Sequence, residues 1–426
     1  MLMSSRVKNI KLAYGDTFVH LEIPEKNLIG ILSVSRGDAL EDVSRAIRSS
    51  FEVPIGLPSL AELLGSKKPR NPLIIASDHT RVVPNYSSML EGLMDEFRRA
   101  GYDPGHICLL IATGNHRPPS CEEREAMYGS RAFDELNLYS HDCDHNCLAL
   151  NRLSNGREVE VNERLLESDF IIATGKITPH YLAGFSGGRK AVIPGCASRK
   201  SIAANHAMIA RRKNGPGKLG DNPIHLEMME VASLLNIDFL VNVVPTPDER
   251  ISGVFSGHWQ KAWESGIEMC RKVWTSEYDE PADCIVASAG GYPLDINLYQ
   301  MQRMLNNLEC AVKPGGTIVL IGECREGVGQ NEFGHWMERY SVREILATPE
   351  ESITAEAHRA YATALVMDKC EVVLISSIEK FKAEDLKFKF MPDGQNALEY
   401  LKKKHGPNFK CYVVPEANSI MLQKRQ

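Results

Sequence analysis

Two histidines on loops rich in turn formers, His116 in ATGNHRPPS and His180 in ATGKITPHYLAGFSGGRKAVIPG, could exchange protons near neutrality, since an unperturbed imidazole titrates at about pH 6.5. Lys190 in the second segment adds an amine that can serve as a base or a nucleophile. Gly184, Gly187, Gly188 and Gly195 permit tight turns and close approach by a phosphate or a cofactor. In SDHTRVVP, the Arg81 fork could clamp a carboxylate through two hydrogen bonds, while Asp78 could orient it or hold a sugar hydroxyl. Each segment has a plainer alternative. Asp78 and Thr80 also suit a polar turn, and His116 an exposed loop.

Three further segments carry candidate ligands. In SRKSIAANHAMIA, Ser198 can cap a helix that carries His206 about two turns in. A helix histidine in apolar company is ordinarily packed; it becomes a metal ligand only if His116 and His180 converge on the same cleft. In GGYPLDINLYQMQR, Tyr299, Gln300 and Arg303 lie near the start of a helix, and Gln300 and Arg303 share one side, facing either substrate or solvent. HDCDHNC alternates His141, Cys143, His145 and Cys147. Zinc modules use two ligand pairs separated by a longer spacer, so a polar loop or strand is the stronger reading there. Neither G-x-G-x-x-G nor G-x-x-x-x-G-K-[ST] occurs, which argues against ordinary dinucleotide or triphosphate binding.

The elements that must position these residues alternate. LIGILSV, LIIAS, ICLLIATG, DFIIATG and IDFLVNVVP read as buried strands, with ALEDVSRAIRSS, YSSMLEGLMDEFRRA and NPIHLEMMEVASLL as helices between them. From DCIVASAGG onward, TIVLIG and EVVLISS continue the alternation. The expectation is an α/β protein of two domains, with parallel or mixed sheets flanked by helices and an active site in the cleft between the domains. The polar segment KVWTSEYDEPAD sets the boundary: residues 1–274 form an N-terminal cofactor-binding domain, onto which 410–426 packs back, and 275–409 form the second. A chain of 426 residues is long enough for two cores.

Composition narrows the function. Apolar content of 43% and charge of 24% are those of a globular protein, and a net charge of -6 offers no attraction for nucleic acid. No apolar run reaches the roughly 20 residues of a membrane span, and the first residues do not read as a signal peptide. Eleven scattered cysteines, an odd number, fit a reducing cytoplasmic setting.

In order along the chain, DHTR, GNHRP, PHYLAGFSGGRK, the Asn205–His206 pair, GGYPLDINLYQ and GECREG resemble the nickel-dependent lactate racemase family from about residue 10 to the C-terminal region. The resemblance implies racemisation or epimerisation of a 2-hydroxy acid by reversible hydride transfer. It implies nickel held by a pyridinium-3-thioamide-5-thiocarboxylic acid mononucleotide, with Lys190 as its covalent attachment and His206 as the protein ligand to the metal. His116 and His180 would be the acid–base pair. Arg81 would bind the substrate carboxylate, with Tyr299, Gln300 and Arg303 as further substrate contacts, while Asp78, Gly187 and Gly188 would contact the cofactor. Proteins that make the cofactor would be partners. The chain departs from the family at Arg303, where the pattern has lysine, so a planar guanidinium fork replaces a compact ammonium among the implied substrate contacts. An NAD-like 2-hydroxyacid dehydrogenase shares the hydride chemistry but lacks its fingerprint here. A non-catalytic nickel or mononucleotide binder would show no turnover.

Overall fold

β-Branched runs bounded by turn formers become strands buried on both faces. PLIIAS forms Pro72–Ser77 with only Ser77 less than fully buried, and FLVNVVP forms the wholly buried Phe239–Pro245. The computed structural model describes residues 6–34, 38–355, 357–418 and 420–425. The chain divides into two compact units, one of Ser35–Met208 with Gly217–Val273, the other of Met1–Val34, Ile209–Pro216 and Trp274–Gln426.

Across the sheet of the first unit the strands run Ile251–Gly257, Phe239–Pro245, Phe170–Lys176, Pro72–Ser77, Cys108–Ala112 and Asn137–Ser140. All are parallel except Ile251–Gly257, which returns antiparallel along its neighbour. Chain order runs outward from Pro72–Ser77 on one side and from Phe170–Lys176 on the other. The two central strands therefore form a switch point, where loops diverge from the carboxyl ends and leave a crevice. Amphipathic helices close one face: Ile47, Phe51, Leu64, Met89, Leu93 and Phe97 pack on Ile74, Leu109, Ile172 and Val241. Each such fully buried side chain contributes about 1.5–3 kcal/mol by leaving water.

The other unit holds an all-parallel sheet ordered Lys389–Phe390, Glu371–Ile375, Val312–Ile321, Ala282–Ser288, Cys411–Val414 and Leu28–Ile31. A hairpin of Val7–Tyr14 and Thr17–Pro24, which the sequence patterns did not single out, joins helix Gly394–His405 over one face. Its Ile10, Leu12, Leu21 and Ile23 pack with Val286, Val319, Val373 and Leu401.

Two placements differ from expectation. LIGILSV does give a strand, but Leu28–Ile31 pairs with Cys411–Val414 in the second sheet. The tail likewise docks beside Ala282–Ser288, and its last strand, Met421–Lys424, pairs with Thr275–Tyr278. An apolar strand in a parallel sheet satisfies its backbone equally well against either neighbour, so local pattern does not say which sheet it joins. The helix expected from Asn297 onward is broken at Gln302 into Leu298–Met301 and Arg303–Leu308. Among the described residues no helix is long and apolar enough to cross a membrane.

Candidate active site

Asp78 leaves the end of Pro72–Ser77 as a buried carboxylate, followed by the 3-10 turn His79–Arg81. His116 leaves the end of the neighbouring strand Cys108–Ala112, on a turn where Gly114 takes a positive φ of 57° and donates its N–H to Gly195 O at 2.9 Å. The two side chains meet, with His116 Nδ1 2.7 Å from Asp78 Oδ2. Thr80 Oγ1 donates to the other carboxylate oxygen at 2.9 Å, and the Arg81 guanidinium lies 3.7 Å from that oxygen. Nδ1 also lies 3.1 Å from Arg81 Nη1 and from Thr80 Oγ1, but a nitrogen that donates to the short carboxylate contact cannot also accept from a guanidinium. The partners therefore place the proton on Nδ1 and the lone pair on Nε2. Burial pushes the Asp78 pKa up, yet the His116 hydrogen bond, the Arg81 charge and the Thr80 hydroxyl outweigh it and hold the acid below its ordinary value.

On the other side of Pro72–Ser77, the chain leaves Phe170–Lys176 into a small antiparallel hairpin in which His180 pairs with Gly184. Here the imidazole is held the opposite way. Its Nδ1 accepts from the backbone N–H groups of Leu182 at 3.2 Å and Ala183 at 3.3 Å, so its proton sits on Nε2, 3.2 Å from Lys190 Nζ. That contact requires a lone pair on the amine. Lys190 can supply it, because burial first, and then the charges of Arg81 and Arg189, depress its pKa well below that of an ordinary lysine. The Arg81 charge thus reaches Lys190 as well as Asp78.

The turn that presents Lys190 is built by close packing. Gly187 and Gly188 both have positive φ, and a Cβ on Gly188 would lie 2.7 Å from the Trp263 ring. The Gly188 N–H donates to Asn242 Oδ1 at 2.8 Å. Arg189, wholly buried, donates to Phe185 O at 2.9 Å, Ala183 O at 2.6 Å and His225 Nδ1 at 3.2 Å, and stacks 4.0 Å over Trp263. Burial and that guanidinium push His225 down to about 3, so it remains neutral.

His206 is buried on helix Arg199–Ala207, whose Ser198 cap forms as expected. Its neighbour Asn205 donates to Glu227 Oε1 at 2.8 Å, and Glu227 pairs with Arg157, fixing the helix from its buried side. Tyr299, Gln300 and Arg303 belong to the other unit. Arg359 stacks 3.8 Å over the Tyr299 ring and donates to its carbonyl at 2.7 Å, and the Gln300 N–H donates to the Asn297 side chain. HDCDHNC forms a turn leading into the strand Cys147–Arg152. His141 lies 3.0 Å from Ala197 O and 3.1 Å from the Asn162 amide. Among the described residues, Asp142, Cys143 and Asp144 bring ligating atoms within 4.8 Å of one another, although Arg199 holds Asp144 and His145 holds Asp142. Sequence reasoning gave Thr80 only a turn role and missed Arg189 and Asn242. Arg189 was open to detection, because it lies between two singled-out residues, whereas Asn242 sits inside an apolar strand without any local signal.

Comparison with known proteins bears on the whole chain. Residues 14–217 match the family model of the lactate racemase N-terminal domain and 278–422 that of the lactate racemase C-terminal domain, while 131–326 also match a domain of unknown function. The curated lactate racemase of Thermoanaerobacterium thermosaccharolyticum is 32% identical over 98% of this chain and 100% of its own. That of Lactiplantibacillus plantarum is 29% identical over 97% and 99%. The solved lactate racemase apoprotein from T. thermosaccharolyticum superposes with a TM-score of 0.90 at 30% identity, covering 98% of this chain and 100% of that one. A Thermotoga maritima protein of solved structure shares the fold, with a TM-score of 0.66 at 19% identity over 91% of this chain and 99% of its own.

Proposed function

Because the chain belongs to the lactate racemase family, we propose that it inverts a carbon bearing both a hydroxyl and a carboxylate, with His116 and His180 moving the hydroxyl proton. It is an enzyme of racemase type. The observation that supports the assignment of roles is the short Asp78–His116 contact of 2.7 Å, which leaves a basic Nε2 in a site shared with Lys190 and His180.

A 2-hydroxy acid resists loss of its Cα hydrogen as a proton, because the resulting carbanion would stand beside a carboxylate. The group implied by the family, nickel in a pyridinium mononucleotide with thioamide and thiocarboxylate arms, supplies a reversible hydride acceptor when bound. The residues fit that group. A neutral, buried Lys190 amine is the state from which an amide-type bond forms, and His206 offers the imidazole nitrogen that nickel accepts. Arg81 Nη1 stands beside His116, where it can take the substrate carboxylate and set the hydroxyl toward the imidazole. His116 Nε2 removes the hydroxyl proton of one enantiomer while His180 supplies a proton to the oxygen as the other forms, and the two exchange roles in the reverse direction. Gly187 and Gly188 support the cofactor through the turn that carries Lys190. The enzyme would work in the cytoplasm and receive its cofactor from the proteins that make it.

The test is a chiral assay of enzyme produced with the cofactor-making system, on enantiopure lactate, malate, 2-hydroxyglutarate, phenyllactate and gluconate. Inversion of one acid, reduced about 10²–10⁴-fold in His116→Gln and in His180→Gln, is expected. Inversion undiminished in both variants would sink the acid–base assignment.

A further inference from the structure

The ladder between the two central strands stops early. Ile75 paired with Ala173 is its last register position, although Pro72–Ser77 and Phe170–Lys176 both continue. Side-chain hydroxyls fill the split. Thr174 Oγ1 donates to Ile75 O at 2.7 Å, so at its 2.6 Å contact with Tyr86 the phenol is the donor, and the Tyr86 oxygen in turn accepts the Ser77 N–H at 2.7 Å. The Tyr128 phenol donates to the Ser77 carbonyl at 2.8 Å. Both polar groups of Ser77's backbone are thus gripped by buried phenols immediately before Asp78.

The two rings come from separate helices. Tyr86 opens helix Tyr86–Arg99 and Tyr128 closes Cys121–Tyr128; they meet edge to face, with centroids 5.5 Å apart. Gly129, at φ 81°, makes the approach possible, since a Cβ there would lie 2.9 Å from Ser87 Cβ. Burial raises the Tyr86 phenol to about 12, so it stays protonated and able to donate.

We propose that Tyr86 and Tyr128 are positioning residues that hold the Ser77 backbone so that Asp78 meets His116 in the geometry proton transfer needs. The proposal rests on the reading of His116 as a base, but its primary test does not require turnover. A side chain at a strand terminus is aimed by the last peptide of that strand, and Asp78 leaves a strand whose ladder on one side has already ended. The phenols replace the missing ladder without closing the crevice. Among the described residues, Ser77 retains a strand partner only in Ala112, on the opposite side.

The experiment uses apoprotein labelled with ¹⁵N-histidine. The hydrogen-bonded Nδ1–H proton of His116 is assigned by its disappearance in His116→Gln, then followed in Tyr86→Phe and Tyr128→Phe. The expected result is loss or an upfield shift of that resonance in either variant. In the loaded enzyme, kcat should fall roughly ten- to a hundredfold with KM little changed, the effect of a small misplacement. A lowered melting temperature with the resonance and kcat both intact would make the phenols ordinary core hydrogen-bonding groups and overturn the proposal. Should Tyr86→Phe fail to fold, Tyr128→Phe carries the same decision, since it spares the Ser77 N–H. If His116→Gln leaves inversion untouched, the functional reading falls, while the resonance still decides whether the phenols aim Asp78.

Discussion

His116 and His180 lie at the ends of strands flanking Pro72–Ser77 on either side, yet the fold holds them in opposite states. His116 offers Nδ1 to a buried carboxylate, which stabilises the imidazolium formed when Nε2 takes a proton. His180 offers Nδ1 to two backbone N–H groups, whose positive ends disfavour a proton there, and turns its Nε2–H toward an amine. The first is ready as a base; the second is set as a hydrogen-bond donor. For His180 to take a proton from the opposite enantiomer, its tautomer must change, and the N–H···N contacts of 3.2 and 3.3 Å must be given up. Acylation of Lys190, the attachment proposed above, would remove the lone pair that now accepts from Nε2 and so release His180.

The largest effect expected of separating the two loops is in Asp78→Asn. Loss of the anion should lower kcat on the order of 10²–10⁴-fold, by denying the imidazolium its partner. Acylation of Lys190 in the apoprotein by acetic anhydride, read by mass spectrometry, should be unchanged. An equal loss in both measurements would show that the loops form one unit rather than two. The converse variant is Arg189→Met. The wild-type amine should label at neutral pH, well below the range of an ordinary lysine near pH 10.4, and removal of the guanidinium should move the labelling profile to higher pH, slowing the reaction at neutral pH by about tenfold for each tenfold tightening of the amine's hold on its proton. Arg189→Lys, which keeps the charge, should move it less. Each carbonyl left unpaired in Arg189→Met also costs about 1–3 kcal/mol, visible in urea unfolding. A wild-type profile like that of an exposed lysine would remove the distinction between the two sides of the site.

Much of this arrangement is legible in the sequence. The strands that end at Asp78, His116 and the His180 hairpin are strongly apolar, and their turn formers mark where side chains emerge, so those candidates stand in the structural setting expected of them. What the sequence does not carry is the direction of the hydrogen bonds. Asp78 reads equally as a turn residue, an Arg81 partner or a cofactor contact, and only its distance from Nδ1 assigns it to His116. Gly187 and Gly188 read as a phosphate cradle, whereas the structure engages the Gly188 N–H with Asn242 and brings that turn against Trp263. Sheet membership failed for a different reason. Leu28–Ile31 and Cys411–Val414 pair across nearly the whole chain, a contact that periodicity cannot encode.

The smallest effect expected is on stability, and it separates the Asp78 and Lys190 sides by pH window. The folded pKa of Asp78 lies below its unfolded value of about 3.9, so its stabilisation is fully present above about pH 4 and fades as pH falls through the folded value. The unfolding free energies of wild type and Asp78→Asn should therefore converge between about pH 5 and strong acid, by about 1.4 kcal/mol for every tenfold by which folding strengthens the acid. Lys190 also has a depressed folded pKa, but there the unfolded chain binds the extra proton up to about pH 10.4, so burial of the neutral amine costs stability at neutral pH and the cost shrinks as pH rises. Lys190→Met should thus gain on wild type at about pH 7 and lose that advantage toward about pH 10. Urea unfolding of the three apoproteins across this range decides it: a Lys190→Met difference that does not vary with pH would mean that the amine is charged in the folded protein, and the His180 tautomer argued from it would fall as well.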